Sequence, residues 1–149
     1  MAALLLIAHA PLASALRSVA SHVYPDCSER LLAVDVPPGA DPEQVEAQIR
    51  AVVEGLADKE VLILADVFGA TPCNVALKVA DGVRVRVVTG VNVPMLWRSL
   101  CYADESLEAL VARAVAGASQ GVMQVAVPRR QNQALSSATN DQNQHHHQQ

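Results

Sequence analysis

Runs of five or six residues dominated by Val, Leu, Ile and Ala recur along the chain at 3–8, 31–36, 61–65 and 83–88. Each has the length of a strand. Between them the apolar positions change period. Leu12, Ala15, Leu16 and Val19 recur at helical spacing, as do Val45, Ile49, Val52, Val53 and Leu56, and later Leu107, Leu110, Val111, Ala114 and Val115. These mark amphipathic helices. Two shorter helices are predicted from about Thr71 to Val79 and from the VNVPML stretch to about Cys101, and a last strand at 122–127.

The punctuation agrees with this alternation. Pro11 suits the first turn of a helix, where a missing N–H leaves nothing unpaired, and Pro25 stops that helix. Asp41–Pro42 reads as an N-cap followed by a first helical residue, with Gln44 completing a capping-box pattern. Thr71–Pro72 reads the same way, and Asp104 or Ser106 can cap the helix that begins near Leu107. Asp81–Gly82 and Thr89–Gly90 are turns, and Gly117 and Gly121 flank the end of the last helix. Strands alternating with helices, the strands apolar on both faces, predict a doubly wound parallel α/β sheet covered by helices on both sides. In such a sheet chemistry collects beyond the carboxyl ends of the strands.

Composition narrows the class. The chain has 149 residues, of which 51% are hydrophobic and only 3% aromatic. The ordered part is expected to be one domain over 1–130 with an aliphatic core. From position 131 the sequence QNQALSSATNDQNQHHHQQ is poor in apolar residues and is expected to be disordered over 131–149. Net charge is −4 without a basic stripe, which argues against a nucleic-acid partner. Cys27, Cys73 and Cys101 are an odd count without C-x-x-C spacing, so a reducing compartment is expected. No apolar run reaches about 20 residues and the apolar start lacks a basic flank, so neither membrane insertion nor a signal peptide is expected, and the cytoplasm is the predicted location.

Two titratable residues stand at strand ends. His9 lies between the first strand and the first helix, where its imidazole can act as a nucleophile toward a phosphoryl group beside helix N–H donors. Asp66 ends the third strand and is the natural acceptor for the other ring nitrogen. A loop histidine without chemistry, and an acid that only bonds its own loop, remain open on the residues alone. Thr71, Asn74 and Asn92 lie in the neighbouring strand-end loops and helix starts, where capping competes with phosphate binding. Cys73 reads as a small buried hydrophobe. His22 reads as a surface or interface residue. Three adjacent histidines at 145–147 are not assigned a metal, and no cofactor is expected.

Four stretches, IAHAPLA, VDVPPGAD, LADVFGATPCNVA and TGVNVPMLWRSL, occur in this order over roughly residues 1–127. Together they resemble the enzyme IIA component of the mannose/fructose-type family of the bacterial phosphotransferase system. The resemblance implies strand order 2-1-3-4 with a C-terminal edge strand, here 122–127, exchanged in a homodimer. It implies a histidine phosphocarrier that takes a phosphoryl group from the phosphocarrier protein HPr and passes it to a IIB component. His9 then matches the phosphorylated histidine and Asp66 the carboxylate that orients it. Thr71 takes the place of a phosphate-contacting Ser or Thr, and Asn74 and Asn92 fall on polar positions of the same loops. The chain departs from the family pattern in having Ala10 after the histidine and Gly69–Ala70 where two glycines are usual. A regulatory module whose phosphorylation state signals to a partner, including the phosphotransfer subunit of a dihydroxyacetone kinase, fits the same motifs. A CheY-like receiver does not, because the first strand ends in His9 rather than in paired acids.

Overall fold

The computed structural model describes residues 1–129. Among them four strands form one parallel sheet: β1 (Ala3–His9), β2 (Leu31–Val36), β3 (Val61–Ala65) and β4 (Val85–Thr89). Their spatial order is β2-β1-β3-β4. The helices are α1 (Leu12–Val23), α2 (Pro42–Glu54), α3 (Thr71–Val79), α4 (Val93–Cys101) and α5 (Leu107–Gln120), with a 3-10 segment at Pro25–Arg30 that the sequence patterns did not predict. The fold class and strand order are those expected.

The two faces of the sheet have separate cores. Leu4, Leu6, Ala8, Leu62 and Leu64 pack under α1, α4 and α5 through Ala13, Leu16, Leu96, Leu100 and Leu110. Leu5, Ile7, Val34, Ile63 and Ala65 pack under α2 and α3 through Val45, Ile49, Cys73 and Ala76. Alternate residues of one strand thus enter opposite cores, which is why β3 is apolar at every position and β1 at every position before His9.

The last strand prediction is not met. Among the described residues, 122–127 pair with no strand, and Val122, Met123, Val125 and Val127 are 67–89% exposed. A strand exists only against a partner edge, and none of the described strands lies beside this segment. The fourth strand begins two residues later than expected and ends at Thr89. Asp81 Oδ1 accepts from the N–H groups of Val83, Arg84 and Val85, which folds the start of the apolar run into a turn. At α2, Asp41 caps as expected, its Oδ1 accepting from Glu43 N. The tail 131–149 lies outside the described residues.

Helices α4 and α5 meet through two glycines one turn apart. A Cβ on Gly117 would lie 2.8 Å from Arg98 Cβ, and one on Gly121 would lie 2.4 Å from Pro94 Cγ. Gly117 is therefore an interior residue of α5, not its end. In an open helix Gly→Ala gains roughly 1 kcal/mol. Here the sign reverses: Gly117→Ala is expected to lose about 1–3 kcal/mol by overpacking. Urea unfolding measures this, and a gain in stability would refute the contact.

Candidate functional site

In the order β2-β1-β3-β4 the chain leaves β1 toward one edge and β3 toward the other. The crevice between the carboxyl ends of β1 and β3 is the switch point where such sheets place ligands. His9 is the last residue of β1, and Asp66 follows the last residue of β3.

The structure brings these two residues into direct contact. Asp66 Oδ2 lies 2.7 Å from His9 Nδ1 and also accepts the His9 backbone N–H at 3.0 Å. Asp66 Oδ1 accepts the N–H of Val67 at 2.9 Å. Burial pushes the Asp66 carboxyl pKa up, but the hydrogen bonds from the His9 backbone, the His9 ring and Val67 outweigh it and hold the carboxyl below its usual value. At neutral pH it is an ionised, acceptor-only group. Nδ1 must then carry the proton in this bond, and in the neutral ring the lone pair lies on Nε2. The carboxylate side chain is 11% exposed and the imidazole 54%. A fixed, sheltered anion thus holds an open ring in the tautomer a nucleophile needs.

The helices around the crevice differ from the rest in their ends. α2, α4 and α5 are capped by the side chains of Asp41, Asn92 and Ser106. α1 and α3, which open just after His9 and Asp66, have no side-chain cap from their N-cap residues Pro11 and Ala70. The amides of Leu12 and Ala13 in α1, and of Thr71 and Cys73 in α3, have no intrahelical acceptor. They are donors suited to an anion at positive helix ends. The loop between β3 and α3 turns at Gly69, whose φ of 90° favours glycine. Ala70 is extended at φ −105°, so its methyl is no obstacle.

The remaining sequence-predicted residues divide. Thr71 is the first residue of α3 rather than its cap, because Ala70 holds the cap position, and its hydroxyl is thereby left uncommitted by capping. Asn74 is exposed in the first turn of α3, its backbone N–H already bonded to Ala70 O. Asn92 caps α4: its Oδ1 accepts from Met95 N at 2.9 Å and its Nδ2 donates to Ala118 O at 3.4 Å. Cys73 is buried, with a free thiol. Two groups at the site escaped the sequence patterns. One is the Val67 N–H, a backbone donor with no sequence signal. The other is Asp35, whose Oδ1 accepts from Ser14 N in α1; an acid inside the apolar run LLAVDV was the available clue. At the rim, Val67 and Phe68 are exposed. Among the described residues no group of three or more His, Cys, Asp or Glu is arranged to hold a metal ion, and no helix is long and apolar enough to cross a membrane.

Comparison with known proteins points to one family. A stretch of 93 residues, 60% of this chain, is 37% identical to the PTS system mannose-specific EIIAB component of Escherichia coli strain K12, and spans 29% of that protein's length. The fold superposes on the mannose/sorbose-specific IIA subunit of the phosphotransferase system from Enterococcus faecalis with a TM-score of 0.80 at 22% identity, covering 87% of this chain and 98% of that one. It also superposes on the PTS IIA protein associated with the fucose utilization operon from Streptococcus pneumoniae, with a TM-score of 0.71 at 26% identity over 91% of this chain and 99% of that one. The family model described as PTS system fructose IIA component matches residues 3–115, so the chain belongs to the mannose/fructose-type enzyme IIA family of the phosphotransferase system.

Proposed function

We propose that this protein is a histidine phosphocarrier: Nε2 of His9 takes a phosphoryl group from phospho-HPr and passes it to a IIB component. The observation that carries this reading is the bond between Asp66 Oδ2 and His9 Nδ1, which leaves Nε2 as the free nucleophile on an exposed ring. The transfer is an in-line displacement. As Nε2 bonds to phosphorus, the donor's N–P bond breaks and its electron pair returns to the donor ring. No proton has to move. The His9 ring becomes positively charged, and the Asp66 carboxylate at 2.7 Å stabilises that charge. The free amides of α1 and α3 are available to take the equatorial oxygens, with Thr71 and Asn74 beside them; Asn92 contributes by holding the start of α4. No metal or cofactor enters the step.

The exposed ring and its apolar rim at Val67 and Phe68 suit a partner protein approaching edge-on rather than a small substrate engulfed in a pocket. The same reading places the protein in the cytoplasm with HPr. It also makes a second copy the partner of residues 122–127, whose exposed valines and methionine join no ladder among the described residues.

Labelling tests the reading. Incubated with phosphoenolpyruvate, enzyme I and HPr, the wild-type protein is expected to take up acid-labile, base-stable phosphate, and His9→Ala none. If neither is labelled while HPr is shown to be charged, the carrier reading fails and a regulatory binding module takes its place.

A further inference from the structure

Asp35 is the one charged residue of β2, and its register partner on β1 is Ala8, the residue before His9. Its Oδ1 accepts the N–H of Ser14 at 3.1 Å. Ser14 is the third residue of α1, and its hydroxyl is turned back onto Pro11 O at 3.1 Å. The carboxylate that binds the first turn of α1 therefore comes from the neighbouring strand, in a helix whose own N-cap residue offers no side-chain acceptor. Among the described residues no Lys, Arg or His lies within ion-pair distance of Asp35. Its carboxylate thus makes no direct ion pair among the described residues.

We propose, on the reading of His9 as phosphoacceptor, that Asp35 is a positioning residue that also keeps the phosphoryl group transferable. Acting through Ser14, it fixes the first turn of α1 and with it the free amides of Leu12 and Ala13, which follow His9 in the chain. Its negative charge occupies part of the positive end of the same helix. One turn rises only about 5.4 Å, so a dianionic phosphoryl group on His9 shares that end with a carboxylate. The like charges repel and the phosphorylated state is less stable than the amides alone would make it. A carrier needs this balance: a site that bound phosphate too well would accept the group and not release it.

The test separates charge from shape. Isolated phospho-HPr is mixed in equal amounts with wild type, Asp35→Asn or Asp35→Ala, and the phosphorylated fractions are read by native gel shift or phosphorus NMR. Asparagine keeps an oxygen for the Ser14 N–H and loses the charge. Asp35→Asn is expected to raise the equilibrium constant for phosphorylation roughly three- to tenfold, with the thermal unfolding midpoint unchanged. Asp35→Ala, which loses the acceptor as well, is expected to slow transfer in both directions. An Asp35→Asn equilibrium within twofold of wild type overturns the charge effect, and wild-type rates in Asp35→Ala overturn the positioning effect. If wild type itself takes no phosphate from charged HPr, the phosphoacceptor reading has failed and the proposal falls with it.

Discussion

Replacing Asp66 by asparagine is expected to slow phosphorylation of His9 by about 10²- to 10⁴-fold, the range seen when a histidine loses the carboxylate that sets its tautomer. The hydrogen-bond inventory shows why so conservative a change is severe. Asp66 serves three donors: the His9 backbone N–H and Nδ1–H on one oxygen, and the Val67 N–H on the other. Asparagine has one oxygen. If that oxygen faces His9, the amide nitrogen is set against the Val67 N–H, donor to donor, and the ring loses the anion that would stabilise its positive charge. If the amide flips, its NH₂ faces both His9 groups. The ring is then pushed to carry its proton on Nε2, which removes the lone pair that attacks phosphorus. Either orientation leaves a backbone N–H unpaired. Quench-flow transfer from phospho-HPr measures the effect, and a rate within threefold of wild type would remove Asp66 from the mechanism. His9→Ala tests whether the ring is the acceptor, whereas Asp66→Asn tests whether its orientation matters.

Truncation of Leu6 is expected to have the largest effect on stability. Leu6 has no exposed surface and sits at the centre of the sheet, level with Ala33 on β2 and Leu64 on β3. Its side chain belongs to the core under α1, α4 and α5. Leu6→Ala removes buried apolar atoms from a place walled by two strands and a helix layer, where collapse into the void is restricted. A loss of about 2–5 kcal/mol is expected, against a total stability of about 5–15 kcal/mol for an ordinary domain. Leu6→Met keeps most of the volume and should lose less than about 1.5 kcal/mol. Urea unfolding with an unchanged slope separates the two variants. Equal, small losses would mean that the core on this face is not close-packed.

Much of the molecule was legible in short stretches of sequence because the forces that shape them act over a few residues. The strands Leu31–Val36 and Val61–Ala65 stand where apolar, β-branched-rich runs were bounded by turn residues. Asp41, Asn92 and Ser106 cap the helices they precede, since an N-cap needs only its own side chain and an amide two or three positions on. The same locality explains why His9 and Asp66 could be placed at strand ends. Where a local signal misled, another local bond had won: the Asp81 turn took the start of β4, and the bond from Asn74 N–H to Ala70 O puts Ala70 rather than Thr71 at the cap of α3.

What the tertiary structure alone decided lies between residues far apart in the chain. His9 and Asp66 are 57 positions apart and meet because β1 and β3 are adjacent and parallel, with Ile7 level with Ala65. Asp35 reaches Ser14 because β2 flanks β1 on the other side, and no local pattern encodes which strand will be a neighbour. Residues 122–127 carry a strand's composition and form no strand among the described residues, because pairing is a property of two edges. By itself the sequence determined the elements and the residue types at their ends, through propensity, periodicity and capping. The sheet order, a collective result of packing both faces, decided which of those ends share a crevice and so which histidine ring is held by a carboxylate.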